Sequence, residues 1–506
     1  MSGLAILQSR SQVGIQAIEV CVETHLSNGL PKFLIVGLPE AAIKESKDRV
    51  RSAIINSQFS FPSRRITVNL APADLPKEGA RFDLPIALGI LTASGQLTSD
   101  FLSEYEFIGE LALSGDLRPV KGVLPMAIAA KKSGRKLILP KDNADEANLI
   151  EGLELYPAEH LLQVVAHFTS EEKLARHETK SLSQLTENFS GELLDFADVQ
   201  GQPHAKRALE IAAAGGHSVL MFGPPGTGKT MLASRLPSIL PDMTDEEALE
   251  VAAIASITPK GFDVSRWKKR PFRNPHHTAS SVALVGGGTP PRPGEISLSH
   301  HGVLFLDELP EFKRHVLEAL REPLESGTIT ISRAAKQVEF PARFQLISAM
   351  NPCPCGYLGD PQTECQCSDE KINRYRQRLS GPFLDRIDLH IEVARLPKNF
   401  LIDQQKFTAE KSSEVQQRVI IAREKQLSRY KKPNAALSSK ELEQLIQLTQ
   451  SQREWLKNAL EKLNISARSY HRLLRVSRTI ADLAGSETVE LPHLAEALNY
   501  RPKIEV

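Results

Sequence analysis

The run SVLMF (218–222) feeds directly into GPPGTGKT (223–230). In a Gly-x4-Gly-Lys-Thr loop the glycines let backbone N–H groups turn inward around phosphates. Gly223, Pro224, Pro225, Gly226, Thr227 and Gly228 supply that cradle. Lys229 is placed to reach the β- and γ-phosphate oxygens, and the Thr230 hydroxyl to ligate Mg²⁺. GVLFLDE (302–308) follows, an apolar strand ending in two carboxylates. Asp307 is assigned to the Mg²⁺ shell and Glu308 to polarising an attacking water, so the pair predicts hydrolysis of a nucleoside triphosphate bound with Mg²⁺. FQLISAMNP (344–352) reads as a further buried strand with Asn351 at its tip, either orienting the water or γ-phosphate or simply forming a turn before proline. Arg386 in LSGPFLDRIDLHIEV stands on a short acidic turn, where the plain reading is an ion pair with Asp385 or Asp388.

A second group of residues bears on metal chemistry. Four of the five cysteines fall within positions 353–367, as CPCGYLGDPQTECQC. Cys353, Cys355, Cys365 and Cys367 provide four thiolates, the number a closed tetrahedral zinc site requires, and the intervening glycines allow the two pairs to converge. Cys-x-Cys is a less usual spacing than Cys-x2-Cys, so a reduced loop without metal and a redox switch stay open. Cys21 stands alone and is assigned to the core.

These residues need elements to position them. At 506 residues the chain is long enough for several domains. Residues 1–168 read as one α/β domain, with strands at 66–72 and 136–140 and a helix over LPIALGILTASG. The polar stretch 169–192 reads as a connector, 193–395 as the strand-rich nucleotide domain and 396–506 as a helical domain. The fold class is therefore α/β with a helical C-terminal part. Charged residues make up 24% and hydrophobic ones 41%, a balance typical of globular proteins. A net charge of +1 gives no bulk attraction to nucleic acid or membranes, so any basic surface must be local. No signal-like start and no span-length apolar run is present, which predicts a cytoplasmic protein with reduced thiols and no membrane partner.

Local basic surface is read at four places. ESGTITISRAAKQVEFPARFQ (325–345) alternates like a β-hairpin, with Arg333 and Lys336 beside its turn, as a solvated tip or, if the hairpin lines a pore as in the related rings named below, as candidates for gripping phosphates. VGGGTPPRPGEIS (285–297) reads as a projecting loop presenting Arg292. RWKKRPFR (266–273) interleaves basic and aromatic residues, a pattern suited to single strands but common on ordinary surfaces. Arg468, Arg472 and Arg475 fall at i, i+4 and i+7 with Arg478 close to the same side, which predicts one basic face directed to nucleotide and an adjoining subunit.

Together the motifs resemble an AAA+ ATPase, and the run RPFRNPHHTASSVALVGGGTPPRPGEISLSHHGVLFLDELPEF (270–312) resembles the magnesium-chelatase-like group and its ComM (YifB-type) members. The resemblance covers nearly the whole chain. It implies a hexameric ring with ATP between subunits, Arg386 as the arginine finger offered to a neighbour's γ-phosphate, Arg468 as the sensor-2 arginine, and Val199 and Gly201 of DVQGQ beside the adenine. It also implies a DNA helicase that drives branch migration of single-stranded or branched DNA during natural transformation, with recombination proteins as possible partners of the first domain.

That first domain resembles the Lon-type protease fold, a Ser-Lys dyad enzyme, through NLAPADLPKEGARFDLPIAL and GDLRPVKGVLPMAIAAKKSGRKLILP. Arg81 stands at the serine position and Leu124 at the lysine position, so the nucleophile is missing, and neighbouring Lys77 and Lys121 do not replace it. The leading expectation is an ATP-driven DNA motor. The alternatives are a Lon-type unfoldase, and a chelatase-type remodelling motor, which is expected to lack the first domain.

Overall fold

The structure is a computed structural model; it describes residues 3–39, 41–170, 172–177, 194–333, 336–396, 409–463 and 467–501. The chain forms two compact units, Met1–Phe189 with Ala248–Trp267, and Ser190–Glu247 with Lys268–Val506. The segment 248–267, which the sequence reading assigns to the nucleotide domain, thus packs with the first unit. The expected connector 169–192 lies largely outside the described residues.

The first unit is built on a seven-stranded mixed sheet, in the order Lys32–Val36, Arg65–Ala71, Gln16–Ser27, Leu4–Val13, Tyr105–Phe107, Lys136–Pro140, Leu155–Ala158. Asp83–Ala93 is the helix read from LPIALGILTASG, and its residues from Asp83 to Leu91 are all buried, as a helix apolar on every side requires. It lies close on the sheet: a Cβ at Gly89 would stand 2.4 Å from Thr24 Oγ1, so only glycine fits. Arg10 crosses from the Leu4–Val13 strand to bond both oxygens of buried Glu106 at 2.7 and 2.6 Å. At the positions of the absent dyad, Arg81 is buried against Gln12 and Met126, and Leu124 is fully buried. Burial pulls the Arg81 guanidinium down to about 10. Lys77 is buried too and donates to the Pro72 carbonyl. These groups serve packing and offer no serine hydroxyl with a base beside it.

The second unit holds a five-stranded, all-parallel sheet, ordered Phe272–Arg273, Val303–Leu306, Gln345–Met350, Val219–Phe222, Leu389–Glu392. The apolar runs VLFL and QLISAM are buried along their whole length, as expected of parallel strands covered on both faces. Pro203–Gly215 packs on this sheet, and Ser412–Tyr430 and Ala467–Leu483 pack on that helix. Arg423 ties the layers by donating to the last carbonyls of Pro203–Gly215, Ala214 at 2.9 Å and Ala213 at 2.8 Å, which the helix itself leaves without partners. The helices predicted after 396 form as Ser412–Tyr430, Ser439–Leu445, Gln450–Lys462 and Ala467–Leu483, followed by Leu491–Leu498. They share one hydrophobic core with the sheet, running from Val219 and Ile347 to Leu473 and Leu494. No helix among the described residues is long and apolar enough to cross a membrane.

Candidate active site

The phosphate loop leaves the C-terminal end of Val219–Phe222 and enters the helix Lys229–Arg235. A Cβ at Gly223 would meet the Val393 carbonyl at 2.2 Å, whereas Gly226 and Gly228 have open space but positive φ of 75° and 87°. The first glycine is thus demanded by close approach and the other two by backbone conformation. Lys229 is 9% exposed; its Nζ donates to the carbonyls of Gly223 at 2.7 Å and Pro224 at 2.8 Å and to Asn351 Oδ1 at 3.2 Å. Burial lowers its pKa to about 8 against the opposing pull of Asp307. Thr227 Oγ1 donates to the Pro224 carbonyl at 3.0 Å and braces the turn.

Two neighbouring parallel strands bring the remaining groups. Asp307 follows Val303–Leu306, and its Oδ2 accepts from Thr230 Oγ1 at 2.7 Å, while Oδ1 accepts from the Glu308 amide at 2.9 Å. Hydroxyl and carboxylate in contact are the oxygen donors a Mg²⁺ ion uses beside nucleotide phosphates, so this pair fits the cation. Glu308 adopts φ 52°, which turns its exposed side chain away from the strand. His277 Nδ1 lies 3.1 Å from Glu308 Oε2. Sequence reasoning did not single out His277, although the paired histidines at 276–277 stand inside the most distinctive run of the chain. On the strand Gln345–Met350, Asn351 caps the C-terminal end and faces Lys229, so its contact is with the phosphate-binding lysine and it is more than a turn former. Val199 is buried, and Gly201 and Gln202 have positive φ, with Gln202 Nε2 bonded to the Ala394 carbonyl at 2.6 Å.

Arg386 and Arg468 are brought to each other, and not to the phosphate loop. Arg386 precedes Leu389–Glu392, where its carbonyl accepts from Ser218 Oγ at 3.1 Å, at the N-terminal ends of the two strands. The phosphate loop follows their C-terminal ends, about 13 Å away at the rise of an extended chain. The ion pair expected with Asp385 or Asp388 is replaced by one to Glu325, at 2.8 Å. Arg468 reaches the same Glu325 oxygen at 3.3 Å. Asp388 instead accepts from the Ser218 amide at 3.1 Å and lies 3.4 Å from His217 and 3.7 Å from Arg472. Burial pushes its carboxyl up, but His217, Arg472 and the Ser218 amide together hold it down to about 2.

The predicted arginine face of the last long helix is only partly a surface. Arg468 is exposed, but Arg475 donates to the Leu437 carbonyl and Arg478 is fully buried on Asp482 and the Ser486 and Glu487 carbonyls. Asp482 at i+4 is therefore the partner of Arg478, which corrects its placement on a ligand-facing side. RWKKRPFR is divided between surface and interior: Arg266 and Lys269 are exposed, whereas Trp267 is buried, Arg270 bonds the Pro241 and His301 carbonyls and Glu247, and Arg273 pairs with Glu295. The predicted hairpin forms as Thr328–Arg333 and Lys336–Pro341, with the backbone of Arg333 opposite that of Lys336; the side chains of these two and the turn 334–335 lie outside the described residues. Arg292 is exposed on a short ribbon in which Gly287 pairs with Arg292.

The four cysteines converge as the spacing predicts, with all four Sγ atoms within 4.8 Å of one another. Cys353 lies 3.3 Å from Cys355 and 3.6 Å from Cys365, and Cys355 lies 3.5 Å from Cys365. A tetrahedron of zinc–sulfur bonds has edges of about 3.8 Å, so the set is of the right size and chemistry to hold zinc. The Tyr357 backbone N–H pulls the Cys355 thiol down to about 6. The loop also abuts the phosphate loop, since a Cβ at Gly356 would lie 2.8 Å from Pro225 Cδ.

Three family models match the chain: "Magnesium chelatase, subunit ChlI" over residues 195–401, its C-terminal counterpart over 409–501, and "Subunit ChlI of Mg-chelatase" over 22–143. The last match falls in the first unit. The chain is 56% identical to the competence protein ComM of Haemophilus influenzae, covering 99% of this chain and 98% of that protein. It is 51% identical to the YifB protein of Escherichia coli, over 98% and 97% of the two chains. The magnesium-chelatase 38 kDa subunit of Rhodobacter capsulatus is 24% identical, over 51% of this chain and 78% of that protein.

Proposed function

Because the chain belongs to the magnesium-chelatase-like AAA+ family of ComM and YifB-type proteins, we propose that it is an ATP-driven DNA motor of natural competence. It assembles as a hexameric ring in the cytoplasm and moves single-stranded or branched DNA, promoting branch migration as incoming strands are recombined. The observation that carries this reading is the division of the nucleotide chemistry between two edges of one sheet. Lys229, Thr230, Asp307 and Asn351 meet at the C-terminal edge, while Arg386 and Arg468 meet at the other. This separation supports a site completed by the arginines of a second copy.

In such a site Lys229 leaves the Gly223 and Pro224 carbonyls for phosphate oxygens, and Asn351, freed from Lys229, orients the water or γ-phosphate. Glu308, held by His277, accepts the proton of the attacking water, and a neighbour's Arg386 stabilises the charge that develops on the transferred group. Val199 and Gly201 flank the base. Thr230 and Asp307 would hold Mg²⁺, which would neutralise phosphate charge. The four cysteines would hold a structural Zn²⁺ that would order the loop behind Asn351. Arg333 and Lys336 at the end of the hairpin, with Arg292 on the ribbon, contact DNA phosphates. The first unit, without a nucleophile, serves recombination proteins or substrate guidance. Steady-state ATP turnover with and without single-stranded, forked and four-way DNA tests the proposal. Stimulation by DNA, lost in Glu308→Gln, supports it; turnover indifferent to every DNA together with no DNA binding favours a motor that remodels another protein.

A further inference from the structure

Glu325 has been assigned no role, yet one of its oxygens holds both arginines, Arg386 Nη2 at 2.8 Å and Arg468 Nη2 at 3.3 Å. The surroundings are short of negative charge. Arg386 has one other bond, from Nη1 to the Pro382 carbonyl at 2.6 Å, and its Nε is buried without a hydrogen-bond partner. Burial lowers its pKa, and Arg468 and Arg321 nearby add like charge. The three side chains border a cavity of about 1020 Å³, room enough for a phosphate-bearing loop of another molecule. Glu325 itself is half exposed, its side chain 52% open against 7% for Arg386, so it can leave without disturbing the core.

Its position in the chain links it to the two projections. Glu325 lies in the turn Pro323–Ser326, and Gly327, at φ 73°, leads straight into the hairpin strand Thr328–Arg333. Ser326 Oγ bonds both the amide and the carbonyl of Thr328, at 3.1 and 2.9 Å, and the Gly327 carbonyl accepts from Ala342 at the end of the return strand at 2.8 Å. Both arms of the hairpin are thereby fastened within two residues of the carboxylate. The hairpin has a packed face, Ile329, Ile331, Val338 and Phe340 being buried. The ribbon that carries Arg292 rests on it, since a Cβ at Gly286 would lie 2.6 Å from Ile331 Cδ1. Both projections are thus joined by contacts to the base of Glu325.

We propose that Glu325 is a positioning latch. In a protomer whose arginines face no triphosphate its carboxylate stands in for phosphate oxygens on Arg386 and Arg468, and displacement of the Thr328–Pro341 hairpin by its ligand withdraws it. The proposal rests on the reading of Arg386 as a residue that acts on a neighbour's γ-phosphate.

The test is ATP turnover of the full chain with and without a thymidine homopolymer, for wild type, Glu325→Gln, Glu325→Ala, Arg386→Ala and the Glu325→Gln/Arg386→Ala pair. Removing a competing charge-assisted contact should raise DNA-free turnover about three- to tenfold in both Glu325 variants and bring the stimulation by DNA towards one. The gain should vanish in the Arg386→Ala background. If Arg386→Ala is slow but the Glu325 variants turn over no faster than wild type without DNA, the latch is overturned while the nucleotide site stands. If Arg386→Ala runs at wild-type speed, the site reading fails and the latch with it. Loss of folding in both Glu325 variants also overturns it, because a half-exposed, displaceable carboxylate must be dispensable to the fold.

Discussion

Glu308 and Arg386 show how little of a residue's role is set by its type. Glu308 is an exposed carboxylate turned out of its strand by φ 52° and met by His277 at 3.1 Å. Glu308→Gln should keep ATP affinity, followed by titration of a fluorescent nucleotide, and lower turnover by about 10²- to 10⁴-fold, the range of a general base. Arg386→Ala should lower turnover by about 10³-fold or more, as expected for an arginine at a transferring phosphoryl group. Asp388, two residues on, acts on stability. Its carboxyl is held at about 2 in the folded chain, below its ordinary value of 3.8, so its contribution is full above about pH 4 and is lost as pH falls from there towards 2. Asp388→Asn should therefore cost about 2–3 kcal/mol at pH 7 in urea unfolding, with the gap to wild type closing below pH 4. A gap that persists unchanged at pH 2.5 would assign the loss to packing.

At the scale of elements, the cysteine loop is placed to brace the site on two sides. Cys353 is two residues beyond Asn351, and Gly356 touches Pro225 of the phosphate loop. A structural zinc supplies ordering energy that so short a loop cannot obtain from an apolar core. The purified chain is expected to carry about one zinc, read by atomic emission. Cys353→Ser with Cys365→Ser should lose it, speed amide exchange across 353–367 and reduce ATP turnover severalfold. Gly356→Ala should raise the KM for ATP while leaving zinc content intact, because the methyl group both collides with Pro225 and is strained at φ 87°. Unchanged KM in that variant would separate the loop from the phosphate cradle.

The whole molecule places Lys229, Thr230, Asp307 and Asn351 at one end of a sheet and Arg386 and Arg468 at the other, which leads to a prediction about assemblies. Lys229→Ala and Arg386→Ala should each be inactive alone. Mixed in equal amounts they should recover about a quarter of wild-type turnover, the share of random interfaces that pair an intact Lys229 with an intact Arg386. Recovery should depend on protein concentration and appear together with larger species in sedimentation. No recovery, from variants that still co-assemble, would place both residues at one protomer's site and contradict the geometry.

The sequence by itself determined the phosphate loop, the Asp307–Glu308 pair, the Asn351 strand and the convergence of the cysteines. Each is a local strand-to-loop motif or a short loop, so spacing along the chain already dictates geometry. It also marked GVLFLDE and FQLISAMNP as carrying buried strands, whereas their parallel pairing was set by the tertiary structure. Tertiary structure decided what lies far apart in sequence: Glu325 for Arg386 and Arg468 in place of Asp385 or Asp388, His277 for Glu308, and the packing of 248–267 with the first unit. It also turned Arg478 and Trp267 inward and tied Arg270 and Arg273 to carboxylates. Charge and helical spacing mark a residue as able to meet solvent or an anion, but only packing selects which buried carbonyl or carboxylate takes that charge instead.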